Sequence, residues 1–384
     1  MERARAVRWP AWLFILLPVQ PVWFGGIAAL IGLAALRRRE RAWFVLPLAL
    51  FALLGAASQL LGPTDHGLPV AALEARHPPP LDRWLRAGWW LGTAVMAGLV
   101  MVGSRVMLRQ AGAGLAAWGV VIGLLVSLGI GLAQALADPA GGRVSGLTPN
   151  PNFYGIGAAL SAALAAVLGG GLPGAVALLL GLGAATLSGS RAAWLGLVVT
   201  SLLVLARFPT RARYLGLLGA VGVFLLAAVS FPELRLATLI DPDYLTNQSR
   251  LEVWAVAWQA ITAHPLTGLG VGGFQSYYQV HQPPAALDPY ASHAHNLLLG
   301  LLVESGVLGL AGFLVLWGQV WRYLWRARAW LVLGLIGVAV LINLVDYIWF
   351  AAAVHYPLWV AVAWASIAGE PPRLANCQAC GSEQ

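Results

Sequence analysis

The strongest constraint on the fold is the alternation of long apolar runs with short arginine clusters. Most runs approach the ~20 residues that a helix needs to cross a bilayer. Hydrophobic residues make up 59% of the chain and charged residues only 10%, against about 25% charged residues in soluble domains. The sequence therefore predicts an all-α polytopic membrane protein. We interpret its formal charge of +8 as a sign of membrane topology, with membrane lipids and not nucleic acid as partners.

The arginine clusters allow the crossings to be ordered. All 23 basic residues are arginine, and if the clusters face the cytoplasm, each segment between two of them must cross an even number of times. This parity is met by about 12 transmembrane helices: two short ones within Trp9–Leu36, divided at Pro18–Pro21, and then Ala42–Leu61, Trp84–Gly103, Gly114–Leu136, Phe153–Leu168, Pro173–Leu187, Ala192–Ala206, Tyr214–Phe231, Asn296–Trp317, Trp330–Val345 and Trp349–Ile367.

This topology divides the chain into four parts. Residues 1–231 would hold transmembrane helices 1–9, and residues 232–294 a large periplasmic loop with helical segments. Residues 295–368 would hold helices 10–12, and residues 369–384 a cytoplasmic tail with the reduced pair Cys377 and Cys380. The first apolar run lacks a small-residue cleavage site, so we expect no cleaved signal peptide.

Two arginines on the predicted outer side are candidates for binding an anion, and Arg191 breaks the charge asymmetry because it lies away from every cytoplasmic arginine cluster. Arg191, in TLSGSRAAWLG, falls at the outer end of a predicted helix. Ser188 and Ser190 favour a helix start there, so backbone N–H groups and a guanidinium could converge on one anion. The alternative is an interfacial arginine that reaches lipid headgroups. Arg250 precedes an amphipathic stretch in the large loop, where a solvated helix face is the alternative.

Histidines and carboxylates form the second group of candidates. His295, at the outer mouth of a predicted helix, could act as a general base, since an imidazole titrates near neutral pH. Asp346 is predicted at the same depth, where it could hold that imidazole in one tautomer. Glu304 points away from His295, because nine residues of helix place the two about half a turn apart. His293 and His295 could instead be two metal ligands, although the sequence shows no third nearby.

Glycines near these candidates are interpreted structurally. GLGVGG, residues 268–273, resembles a nucleotide-binding loop only superficially, since no strand precedes it. Gly306, Gly309 and Gly312 recur at every third residue. That spacing predicts close packing between helices.

Three motifs together resemble the O-antigen ligase and polymerase superfamily. His295-Asn296, nine residues and then Gly306-Val307-Leu308-Gly309 fit the H-N-x9-G-x-x-G pattern of O-antigen ligases. Residues 188–197 resemble the arginine-bearing membrane motif of the superfamily, and residues 249–274 its long periplasmic loop. One departure is that Ala294 stands where some ligases carry a second adjacent histidine, with His293 one position earlier.

The resemblance implies a GT-C type helical bundle in the bacterial inner membrane, with its active site facing the periplasm. The implied reaction transfers a glycan from undecaprenyl diphosphate to an acceptor hydroxyl, without metal or cofactor. The acceptor is lipid A–core in ligases and a lipid-linked glycan in polymerases. Arg191 and Arg250 would hold the diphosphate and His295, with Asp346, would activate the hydroxyl for an inverting attack; His293, Ser190 and Asn296 are secondary candidates. A lipid-linked sugar transporter or flippase, and a non-enzymatic scaffold, remain the alternatives from other classes.

Overall fold

The computed structural model describes residues 10–36, 43–63, 82–138, 142–206, 219 and 244–368. Within these ranges every regular element of more than one residue is a helix. In chain order the helices are α1 Pro10–Leu13, α2 Leu16–Val19, α3 Pro21–Leu36, α4 Val45–Leu61, α5 Arg83–Ala111, α6 Ala113–Ala137, α7 Pro151–Gly169, α8 Gly171–Ser188, α9 Arg191–Leu205, α10 Leu245–Ala263, α11 Gly273–His281, α12 Leu297–Arg326, α13 Trp330–Asn343 and α14 Ala352–Ala368.

Five of these helices are long and apolar enough to cross a membrane, namely α5, α6, α7, α8 and α12. Shorter apolar helices accompany them, among them α4, α9, α13 and α14. The prediction of an all-α polytopic membrane protein is thereby confirmed. The predicted helix Tyr214–Phe231, apart from residue 219, and the tail 369–384 lie outside the described residues.

Helix α7 forms the centre of the bundle because it is built largely from small residues. Alanine and glycine dominate its sequence, and most of its length is buried. It packs against α6, α8, α9 and α14. Small side chains let helix backbones approach closely, which is how helices associate where lipid removes the usual hydrophobic drive. The ends of α7 are therefore fixed by neighbours on several sides.

Two predicted helices are longer in the structure than the apolar runs that suggested them. Helix α5 continues through Arg105 and Arg109 to Ala111, and α12 continues past Trp317 to Arg326. The predicted ends at Gly103 and Trp317 are wrong because arginine is a good helix former, so a helix can outlast its apolar run. Helix α5 ends at Ala111, and the following Gly112 has a left-handed φ of 77°, as is common just after a helix.

The large loop carries a small core of its own. Helices α10 and α11 bury Val256, Phe274 and Tyr278 with neighbouring apolar residues, and this cluster includes Val303 of α12. The predicted helical segments in the loop are thus present, and α10 extends from Leu245 to Ala263. The cluster fixes α10 against the first half of α12. His295 lies just before this helix.

Candidate active site

Several helix ends meet around one cavity at the end of the bundle where α7 and α9 begin. The cavity has a volume of about 370 Å³. Its walls come from the start of α7, the end of α8, the start of α9, the first turns of α10 and the segment after α13: Gly142, Arg143, Asn152, Thr186, Leu187, Gly189, Arg191, Ala192, Tyr244, Thr246, Arg250 and Asp346. Three arginines and one carboxylate therefore share a small space.

Arg191 reaches the cavity because the chain turns sharply between α8 and α9. Gly189 adopts a left-handed φ of 58°, and the Ser190 hydroxyl caps α9 by accepting from the backbone N–H of Ala193 at 3.3 Å. The predicted helix start at the serines is confirmed. The Arg191 guanidinium lies 5.4 Å from the centre of the Tyr244 ring. It thus lines a protein cavity, which favours the anion-binding interpretation over a role in reaching headgroups.

Arg250 lies in the second turn of α10 and faces the same cavity from the large loop. Burial lowers the pKa of this guanidinium, while the negative charge of Asp346 acts in the opposite direction. An arginine stays protonated in proteins despite such shifts. Arg250 therefore does not lie on an ordinary solvated helix face. It is half-buried and close enough to Asp346 to interact with its negative charge.

A third arginine of the cavity was missed by the sequence reasoning. The Arg143 Nε donates to the carbonyl of Ser188 at 2.7 Å, and its NH2 group donates to the Asn152 side-chain oxygen. Asn152 in turn donates to Asp346 Oδ2 at 3.2 Å. One sequence signal was present, because Arg143, like Arg191, lies in a predicted outer segment away from the arginine clusters.

Both histidines contact Asp346. His293 Nε2 is 3.3 Å from Asp346 Oδ1, and His295 Nδ1 is 3.6 Å from the same oxygen. The two imidazole rings lie 4.2 Å apart between centroids. The predicted pairing of Asp346 with His295 is therefore present, but His293 is the nearer partner. The sequence could not show this, since 51 residues separate His295 from Asp346 and the fold alone sets the distance.

Asp346 is buried, with only 3% of its surface exposed. Burial alone would raise its pKa, but the hydrogen bond from His293, the close approach of His295 and the charge of both imidazoles when protonated outweigh that effect. The pKa of Asp346 is therefore lowered well below its ordinary value. The carboxylate stays ionised through the neutral range, so it can orient an imidazole and stabilise its protonated form.

The segment that carries the histidines is held on both sides. Asn296 caps α12 by accepting from the N–H groups of Leu298 and Leu299, and it donates to the carbonyl of Leu344 at 2.9 Å. His295 itself has a left-handed φ of 48°. Such strain in a residue other than glycine persists only where surrounding contacts impose it. Asn296 thus joins the start of α12 to the segment just before Asp346.

A metal ion is the alternative use of this cluster. One ligand atom from each of His293, His295 and Asp346 lies within 4.8 Å of the others. Two imidazoles and one carboxylate form a ligand set that suits zinc or other transition metals. The third ligand that the sequence did not reveal is therefore Asp346. The same three groups serve equally well as a base and its orienting carboxylate, so chelation must separate the two interpretations.

Glu304 does not contact His295, as the helix geometry predicted. Its carboxylate accepts from the Tyr347 hydroxyl at 2.9 Å and from the Gly272 N–H at 3.3 Å.

Gly306 departs from the predicted helix-packing role, since its φ of 58° and ψ of −161° interrupt α12. Gly312 does mark close packing, because an added Cβ would lie 3.0 Å from the Phe51 Cα of α4.

The fold and this site define the class of protein as a multi-pass membrane protein with a cationic cavity beside a His–Asp cluster. Residues 176–314, about a third of the chain, match the O-antigen ligase family, which supports the resemblance to this superfamily seen in the sequence. An O-antigen ligase from Pseudomonas aeruginosa is 25% identical to this chain over an alignment of 159 residues, which covers 36% of this chain and 38% of that relative. The family match includes Arg191, Arg250 and His295, whereas Asp346 lies beyond it.

Proposed function

We propose that the protein is a membrane glycosyltransferase of the O-antigen ligase type. In this proposal it transfers a glycan from undecaprenyl diphosphate to a hydroxyl of lipid A–core, at the periplasmic face of the bacterial inner membrane. The observation that carries the proposal is the position of Asp346. Its carboxylate lines the cavity of three arginines and also contacts both histidines, so a site for an anionic leaving group and a candidate base adjoin.

The arginines fit the donor. A diphosphate leaving group gathers negative charge as the glycosidic bond breaks, and guanidinium groups bind phosphate oxygens in pairs of charge-assisted hydrogen bonds. Arg191 and Arg250 would hold the diphosphate, with Arg143 as a third cation. In a partly buried cavity such contacts are stronger than in water. Two of the three lie on elements fixed by capping or by the small core of the loop.

His295 would act as the general base. It would take the proton of the acceptor hydroxyl while the hydroxyl oxygen forms a bond to the anomeric carbon. The bond from that carbon to the diphosphate oxygen would break, with its electron pair passing to the diphosphate. A single displacement of this kind inverts the configuration at the anomeric carbon. Asp346 would stabilise the imidazolium, and the step needs no metal ion.

The remaining predictions complete the proposal. We propose the topology of about 12 transmembrane helices and the GT-C type of bundle, with residues 232–294 as a periplasmic loop. The mechanism explains the location of the histidines. A base at the mouth of α12 can meet both a donor at membrane depth and a polar acceptor arriving from water.

The test uses purified protein in lipid and a lipid-linked oligosaccharide as donor. Two acceptors are offered separately: lipid A–core, or a further molecule of the lipid-linked oligosaccharide itself. Addition of one glycan to lipid A–core, in a single step on a sizing gel, is the expected result. A ladder formed from the donor alone would replace the ligase proposal by a polymerase. Movement of the intact donor across the membrane of a vesicle, with no new glycosidic bond formed, would favour a transporter and overturn the proposal.

A further inference from the structure

The interruption of α12 at Gly306 is filled by another part of the chain. The carbonyls of Val303 and Glu304 accept from the backbone N–H groups of Leu269 and Gly270, at 2.7 and 3.1 Å. Beyond the break, the N–H groups of Val307 and Leu308 donate to the carbonyls of Pro265 and Leu266, at 2.9 and 3.2 Å. Residues 265–270 thus replace the hydrogen bonds that the helix loses, so the break is a built feature of the fold.

Polar side chains from α4 and α5 hold this inserted segment in place. Gln59 donates to the carbonyl of Glu304 at 3.1 Å and accepts from the N–H of Val271 at 2.8 Å. Arg86, fully buried, donates to the carbonyl of Leu269 at 3.1 Å. Buried polar groups of this kind are costly unless they are satisfied. The segment and the break are therefore held by side chains from two neighbouring helices.

Glu304 links the fixed break to the candidate active site through one tyrosine. The Tyr347 hydroxyl donates to Glu304 Oε2 at 2.9 Å, while the Tyr347 backbone N–H donates to Asp346 Oδ1 at 2.8 Å. The ring of Tyr347 also lies against Gly300, where an added Cβ would come within 2.8 Å of it. Tyr347 is thus held at its hydroxyl and its ring, and its N–H holds the carboxylate oxygen that faces both histidines.

We infer that Glu304 and Tyr347 are positioning residues for the transfer reaction, acting through Asp346. This inference rests on the proposed function, because it takes Asp346 as the partner of the base. Asp346 follows the end of α13 and precedes α14, so neither helix includes it. The Glu304–Tyr347 contact fixes the residue whose N–H holds Asp346 Oδ1, whereas Asn152 holds Oδ2. Displacement of the carboxylate by a fraction of an ångström would weaken its contacts with His293 and His295.

The charged groups that face Asp346 decide how a test can be read. His293 and His295 approach it from the start of α12, and Arg250 from α10. None of these contacts involves the Tyr347 hydroxyl. Removing that hydroxyl therefore leaves the direct partners of Asp346 in place and removes the hydrogen bond that Tyr347 donates to Glu304, a carboxylate that also interacts with His293.

The primary test compares Tyr347→Phe with Tyr278→Phe. Tyr278 is a fully buried tyrosine of α11 whose hydroxyl has no hydrogen-bond partner among the described residues, so it controls for the loss of a buried hydroxyl. Tyr347→Phe should lower kcat about three- to tenfold with little change in KM, as expected for one lost hydrogen bond. Tyr278→Phe should retain the wild-type kcat.

Coupling to Asp346 separates positioning from a general structural role. In an Asp346→Asn background, Tyr347→Phe should add almost nothing, and Glu304→Gln should add little to Tyr347→Phe, because groups that act in series are not additive. Tyr347→Phe should also displace the acidic limb of the pH–rate profile in the same direction as Asp346→Asn. A full, additive loss of kcat in the Asp346→Asn background would overturn the inference, as would a Tyr347→Phe enzyme indistinguishable from Tyr278→Phe. Failure of the proposed function has a different signature, which is normal transfer by His295→Ala.

Discussion

The two ends of the bundle carry cavities of opposite character. The cavity at the start of α7 and α9 has about 370 Å³ and gathers three arginines, Asn152 and Asp346. At the other end of these helices a crevice of about 700 Å³ is lined mainly by apolar residues, including Trp330 and Trp364, and Arg328 is its one cation among the described residues. The larger space is the poorer candidate, because convergent polar groups and not volume define a site for a charged substrate.

The largest effect that separates the two ends is expected from His295→Ala. This change should abolish transfer, because the other nearby imidazole, His293, already has a partner at each ring nitrogen, Ser292 at Nδ1 and Asp346 at Nε2. The protein should still insert and fold, since His295 is partly exposed at a helix mouth and Asn296 keeps its capping bonds. Transfer is measured by product sizing and folding by thermal unfolding in detergent. Substantial transfer by this variant would remove His295 from the mechanism.

Arginine-to-lysine changes at both ends sharpen the comparison. Lysine keeps the positive charge but loses the two-pronged geometry of the guanidinium. Arg191→Lys should therefore lower transfer about ten- to a hundredfold, the cost of roughly one charge-assisted hydrogen bond. Arg250→Lys should behave alike. Rates of transfer at saturating donor, with membrane-inserted protein quantified in parallel, provide the measurement.

Arg328→Lys is the matched control at the apolar end. Arg328 lines the other crevice with a left-handed φ of 54°, and lysine meets the same backbone strain as arginine there. This variant should transfer at the wild-type rate. If Arg191→Lys were equally active, the diphosphate assignment would be lost and the difference between the two cavities would have no bearing on function.

Asp346→Asn should have a smaller effect, of about tenfold, and it should change the pH dependence. Asp346 remains ionised well below neutral pH because its pKa is lowered. It therefore does not itself produce the acidic limb of the pH–rate profile, which reports protonation of the base. Without the carboxylate charge the imidazolium is less stable, so that limb should move to lower pH. An unchanged limb, measured on kcat across pH 5–8 (about the range in which histidine titrates), would make Asp346 a structural residue.

Metal removal should have the smallest effect. Treatment with a chelator should leave the transfer rate unchanged if His293, His295 and Asp346 work as base and orienting groups. The assay compares chelated enzyme with chelated enzyme supplied with zinc. Loss of transfer that zinc restores would identify the cluster as a metal site and would replace the general-base mechanism.

Much of the fold could be predicted from the sequence because each crossing helix carries its own signal. Apolar runs of the right length gave α7, α8 and α13 to within a few residues at each end. The capping serines before Arg191 likewise gave the start of α9. The ends of α5 and α12 were wrong, since arginine does not stop a helix, and the break at Gly306 looked like a packing repeat.

The candidate site was predicted residue by residue but not as an arrangement. Residue type and depth in the membrane singled out Arg191, Arg250, His295 and Asp346, since charged or titratable groups near an apolar run are costly and need a reason. Arg143 was missed because it stands in a short polar loop, where an arginine costs nothing. Its role in the cavity depends on Ser188 and Asn152, which only the fold brings to it.

The sequence by itself determined the class of the molecule: its helices, its membrane environment and the residue types that can bind a diphosphate or accept a proton. These follow from local composition and spacing, because a helix satisfies its own backbone within one segment. Only the tertiary structure decided that Asp346 contacts both histidines and that Glu304 accepts a hydrogen bond from Tyr347. It also decided that residues 265–270 supply the hydrogen bonds missing at the break in α12. Such contacts join segments tens of residues apart. They depend on how helices pack, and no local pattern records that.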